Sequence, residues 1–139
     1  MKNYLLDSGF LYASIDVSDI HYNKVKAATQ TTRSGRVILP VPAITETAYF
    51  LSRNLGPESV AQFLENIEKT RFVVECPASA DYDRAAEILR KYKDSNIDFV
   101  DACIVAMSER LNVTTILTID RRDFGMIRPK HCDAFEILP

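Results

Sequence analysis

The chain of 139 residues contains no tryptophan and only two histidines. Without tryptophan, and with its tyrosines and phenylalanines mostly at core spacing, the sequence offers no evident platform for stacking nucleobases. Its three cysteines, Cys76, Cys103 and Cys132, are odd in number and far apart. None belongs to a C-x-x-C or similar pattern, which argues against a structural zinc site and leaves three reduced thiols. His21 and His131 read as surface residues. Charge of one sign is also lacking: the formal net charge is −2 at neutral pH, so any contact with nucleic acid must come from a local basic patch. No apolar run approaches the ~20 residues that a membrane span needs, and the N-terminus lacks the basic flank, apolar core and cleavage site of a signal peptide. The expectation is a cytoplasmic protein with no membrane contact.

What is present is an ordinary apolar content of 47% and a length that suits one domain, residues 1–139, able to bury roughly two thirds of its unfolded surface. Tyr4-Leu5-Leu6 reads as a strand delivering Asp7 to a strand-to-helix turn, with Phe10 to Ala13 resuming at helical spacing. A thinly apolar helix is expected over 19–33, then a strand from Arg36 to Leu39 closed by Pro40. Pro42 suits the first turn of a helix carrying Ile44, Ala48 and Leu51 on one face. Gly56-Pro57 is a stop followed at once by a start, and Val60, Phe63, Leu64 and Ile67 mark the inner face of the next helix. A strand over 71–75 and a helix over 80–93 follow, the latter with Tyr82, Ala85, Ala86, Leu89 and Tyr92 on its apolar face. After a largely apolar helix from Asp98 to Leu111 come a strand over 115–119, a turn or helical stub over 121–125 and a strand over 134–138. Such alternation implies an α/β fold, a mostly parallel sheet between two layers of helices.

The stretch N-I-D-F-V-D-A-C-I-V-A-M-S-E-R, from Asn96 to Arg110, is apolar enough to be a buried helix yet opens with two acids. Asp98 suits an N-cap and Asp101 the positive end of the helix dipole, and capping alone accounts for both. Asp101 has company, however. Asp7 and Asp120 stand at strand ends, and Glu46 lies in the early turns of its helix, so four acids occupy places that an α/β fold brings to one sheet edge. Two unit charges ~4 Å apart repel by about 4 kcal/mol at an effective dielectric of 20, so converging carboxylates must take up protons or hold a cation. Magnesium or manganese fits an all-oxygen set with no cysteine or histidine nearby. Ser8 and Thr118, each beside an acid, are placed to hydrogen-bond a carboxylate, and they serve equally as ordinary turn and strand residues.

These residues carry a resemblance. Leu5-Leu6-Asp7-Ser8, Pro42-Ala43-Ile44-Thr45-Glu46, Asp98-Phe99-Val100-Asp101-Ala102 and Leu117-Thr118-Ile119-Asp120-Arg121-Arg122-Asp123-Phe124 resemble the successive acidic motifs of the PIN domain, and in their spacing those of VapC-type toxins. The resemblance implies a PIN-like fold and a magnesium- or manganese-dependent endoribonuclease, usually a homodimer, held inactive by an antitoxin that covers its active site. Carried over by position, Asp7, Glu46, Asp101 and Asp120 are the catalytic acids, with Asp7, Asp101 and Asp120 on the metal and Ser8 and Thr118 beside them. Asp98 and Asp123 are surplus acids; Asp98 is expected to cap its helix and Asp123 to be peripheral, with either able to assist the metal.

Arg121 and Arg122, next to Asp120, are the cations best placed to meet RNA phosphates, with Arg128 and Lys130 beyond them. Two other readings compete. A phospho-acceptor module also begins with an acid at a strand end, but it needs a lysine after a later strand, where this chain has Arg121, and Lys2 comes too early. A catalytically silent partner-binding fold would use the acids only as caps.

Overall fold

The computed structural model describes every residue from Met1 to Pro139. Five parallel strands, β1 (Asn3–Leu6), β2 (Arg36–Pro40), β3 (Val73–Glu75), β4 (Thr115–Leu117) and β5 (Glu136–Leu138), lie in the order β3-β2-β1-β4-β5. The three central strands are apolar at successive positions because side chains alternate between faces and both faces are covered. Leu5, Ile38 and Ile116, in register across β1, β2 and β4, enter one core cluster. Tyr4, Leu6, Val37, Leu39 and Leu117 enter the other.

Helices α1 (Ser8–Ile15), α2 (Tyr22–Thr31), α3 (Val41–Leu55) and α4 (Pro57–Ile67) supply the second cluster. Helices α5 (Ser79–Lys91), α6 (Phe99–Leu111) and α7 (Arg121–Met126) supply the first. The α/β architecture with a parallel sheet between helical layers is as expected. Gly56, at φ 88°, is where a side chain would be strained: its amide closes α3 onto Leu51 and Ser52, and Pro57 opens α4. No helix is long and apolar enough to cross a membrane.

Helix α6 is buried from Ala102 through Ser108, and Ile104 is fully enclosed. Truncating such a residue costs about 2–5 kcal/mol, so the helix is firmly fixed on the sheet. Arg84 holds α5 to α6 through a two-pronged pair with Glu109 at 2.7 and 3.0 Å. Arg110 does the same through buried Asp81 at 2.9 Å, whose carboxylate also accepts from the Ala78 amide at 2.7 Å.

Several local expectations differ from the structure. Strand β4 ends at Leu117; the Thr118 amide still donates to the Leu138 carbonyl at 2.9 Å, while its hydroxyl is engaged with Asp7 and with the Asp120 amide. Of the two alternatives for residues 121–125, the helical stub is the one found, as Arg121–Met126; α2, by contrast, starts only at Tyr22 because Asp16 and Asp19 cap turns before it. Leu64, Tyr82 and Phe99 are about half exposed; the inner faces of α4 and α5 centre on Phe63 and on Ala85 with Ile88. His131 is half buried, not a surface residue, and one ring nitrogen stands 2.7 Å from the Val113 carbonyl.

Candidate active site

The strand order reverses between β1 and β4, and the crevice beyond their carboxyl ends is where such sheets take ligands. Asp7 stands at that point. Its amide donates to the Leu117 carbonyl at 2.9 Å, and one carboxylate oxygen caps α1 by accepting from the Ser8 amide at 2.8 Å. The other oxygen accepts from the Thr118 hydroxyl at 2.7 Å. Thr118 in turn accepts from the Asp120 amide at 2.9 Å, so one buried hydroxyl fixes two acids on neighbouring strand ends. Asp120 caps α7 through the Asp123 amide at 3.0 Å.

From the facing layer, α3 presents Glu46 in its second turn, where it accepts a hydrogen bond from the Ser8 hydroxyl. Helix α6 opens with a reciprocal capping box: Asp98 accepts from the Asp101 amide at 3.0 Å and Asp101 from the Asp98 amide at 3.1 Å. Capping therefore accounts for where these acids sit along the chain. It does not account for their meeting.

They meet in a cleft of about 570 Å³ lined by Asp7, Glu46, Asp98, Asp101, Asp120 and Asp123 together with Ser8, Gly9, Phe50, Asn96 and Ile119. Six of these eleven residues are acids and none is basic, so the negative charge has no internal counter-ion. Burial pushes the Asp7 carboxyl up to about 6; the Glu46 and Asp120 charges add to the rise, while the Thr118 and Ser8 hydrogen bonds oppose it. Burial also drives Asp101 well above the carboxylate range, helped by the charges of Asp7 and Asp98. Asp123 is raised by burial and by its hydrogen bond with Asp120, against the opposing charge of Arg122.

An uncompensated acidic cleft fits a hard divalent ion. Its lining supplies oxygen donors and no thiol or imidazole. As the side chains stand, no three acidic, thiol or imidazole groups are close enough together to hold a metal ion between them. Magnesium makes the smaller demand on such a lining, since it keeps several waters and is held by one or two carboxylates plus substrate oxygens. The lining includes no lysine, as a phospho-acceptor site would need.

All four sequence-predicted acids line the one cleft, with Ser8 and Asp98 beside them and Thr118 bound to Asp7. Asp98 caps its helix as expected. Asp123 is not peripheral: it is buried and shares the lining, because the segment after Asp120 coils into a helix that turns it inward. Arg121 differs from expectation in that its guanidinium is engaged by the C-terminal backbone, donating to the carbonyls of Ile137, at 3.2 Å, and Pro139. Arg122 is exposed, with its charge felt at Asp123. Asn96 and Phe50 were not foreseen; Asn96 lies in a loop without periodicity, and Phe50, one turn beyond Glu46, could have been found from that spacing.

A second cleft, of about 500 Å³, lies among α1, α2 and α4. Phe10, Leu11, Phe63 and Phe72 contribute apolar surface, and Lys26, Arg33 and Arg71 line it as well.

Comparison with known proteins places the chain in a group. The PIN domain family profile matches residues 4–128. Ribonuclease VapC26 of Mycobacterium tuberculosis is 26% identical over 135 residues, 97% of this chain and 99% of that protein. The structure of Mycobacterium tuberculosis VapC20, described as a sarcin-ricin loop cleaving toxin, superposes with a TM-score of 0.79 at 18% identity, covering 86% of this chain and 91% of the other. DNA-bound VapBC from Salmonella typhimurium gives a TM-score of 0.71 at 17% identity over 99% of this chain and 97% of that one.

Proposed function

The chain belongs to the PIN domain family, and from that premise we propose that it is a metal-dependent endoribonuclease, the toxin of a toxin–antitoxin pair, acting in the cytoplasm as a single-domain homodimer. The observation that carries this reading is the cleft at the ends of β1 and β4, where six acids gather with no basic residue among the lining. Asp7, Asp101 and Asp120 are the residues that would hold Mg2+ or Mn2+. Once bound, the ion supplies positive charge against the charge that develops on the phosphodiester during in-line attack by water.

The protein's own groups do the rest. Thr118 and the Ser8 amide hold Asp7 in one orientation, and Thr118 positions Asp120 by the same hydroxyl. Glu46, steadied by Ser8, orients the attacking water and receives its proton. Arg122 meets an RNA phosphate at the rim, which lowers the electrostatic barrier to bringing a polyanion to an acidic hole. The antitoxin partner is seated in part by the cleft among α1, α2 and α4, whose apolar surface and three cations suit an amphipathic segment with acidic flanks.

The test is cleavage of single-stranded RNA by the purified chain, free of any partner, with Mg2+ or Mn2+. Asp7→Asn is expected to lower cleavage at least a hundredfold. Metal-independent cleavage, or cleavage that survives Asp7→Asn, would remove the reading.

A further inference from the structure

Tyr82, near the start of α5, and Phe99, the first residue of α6, stack with ring planes 5° apart and centroids 6.4 Å apart. The separation lies within the range of offset stacking. The rings are not hidden, since Tyr82 is 49% and Phe99 51% exposed. Burial would account for a pair packed inside the protein; it does not account for two parallel rings left half in water. Their place is informative. Phe99 lies in sequence between Asp98 and Asp101, both of which line the acidic cleft; the two rings stand outside that lining, and exposed Asn96 belongs to it from the preceding loop. The Asp81–Arg110 pair, adjacent to Tyr82, anchors the start of α5 on α6 and so holds the ledge rigid.

We propose that Tyr82 and Phe99 form a stacking ledge for one unpaired RNA base beside the acidic cleft, with Asn96 hydrogen-bonding the edge of that base or its ribose. The inference rests on the nuclease reading and adds to it how substrate is seated. A flat aromatic surface accepts any base, whereas a carboxamide can both donate and accept and thus introduces preference.

The test measures cleavage of a mixed-sequence single-stranded RNA with Mn2+ by wild type, Tyr82→Ala, Phe99→Ala, Phe99→Tyr and Asn96→Ala. Each ring deletion is expected to raise KM roughly five- to a hundredfold, the range seen when stacking aromatics are removed, with kcat within about twofold. Phe99→Tyr should keep wild-type KM, and Asn96→Ala should broaden the choice of cleavage site. Unchanged KM in both alanine variants of the ring pair overturns the ledge while leaving the nuclease reading intact. So does a rise in KM accompanied by loss of self-association in sedimentation, which would assign the pair to contact between copies of the chain. Absence of Asp7-dependent cleavage by the wild type removes both.

Discussion

Replacing Asp7 by asparagine should make the metal-free protein more stable at neutral pH. Raising a carboxyl from its ordinary 3.8 to about 6 means that ionised Asp7 destabilises the fold by roughly 3 kcal/mol, at about 1.4 kcal/mol per pH unit. Asparagine removes the charge but cannot accept from both the Ser8 amide and the Thr118 hydroxyl. One lost hydrogen bond costs about 1 kcal/mol, leaving a net gain of about 2 kcal/mol. For a chain of this length that corresponds to a rise in Tm of about 4–8 °C. The sign with pH follows from linkage: between the unfolded and folded pKa values the native state binds more protons, so the Asp7 contribution to stability falls as pH rises through about 4 to 6 and is constant above, while Asp101, pushed up to about 9, extends the fall through neutral pH. Asp101 and Asp123, also raised, act in the same direction. Thermal melts with a chelator at pH 5 and pH 7.5 check this. Asp7→Asn should exceed wild type at pH 7.5, with the gap closing or reversing at pH 5. An Asp7→Asn protein less stable than wild type at pH 7.5 would show that the cleft does not hold its charge uncompensated.

Thr118→Val keeps the shape of a fully buried side chain but removes the donor to Asp7 and the acceptor for Asp120; melts should show a loss of about 1–3 kcal/mol, and cation titration an affinity about 10–100-fold weaker. Arg122→Ala should weaken RNA binding and reduce the slope of log affinity against log salt by about 1, the signature of one lost phosphate contact. Arg121→Ala should leave that slope unchanged and lower Tm, because its guanidinium is engaged with the carbonyls of the C-terminal strand.

The alternation of strands and helices was legible because apolar runs of four or five residues bounded by Pro, Gly or Asp can hardly be anything but buried parallel strands. The convergence of Asp7, Glu46, Asp101 and Asp120 was legible for a related reason: each follows a strand or opens a helix, and parallel topology puts all such positions on one edge. For Asp7, Asp98, Asp101 and Asp120 the side chain that caps a helix also lines the acidic cleft, which is why a purely capping interpretation fitted the sequence so well. Asp123 was misjudged because a turn and a helical stub fitted residues 121–125 equally well, and only the helix turns that side chain inward. Tyr82 and Phe99 were assigned to the core because they fit apolar helical spacing, which identifies a stripe but not its edges. Asn96 gave no signal, since a loop side chain acquires its neighbours only when α5 and α6 dock.

The central claim is that carboxylates distant in sequence jointly receive a divalent cation. Calorimetric titration of the partner-free chain with Mn2+ near pH 6.5, repeated in buffers of different ionisation enthalpy, tests it most directly. The account predicts saturable binding accompanied by proton release to the buffer, because the ion displaces the proton of Asp101 and in part that of Asp7, and loss of that binding in Asp101→Asn. Heats that never saturate, or binding that Asp101→Asn leaves unaltered, would contradict it.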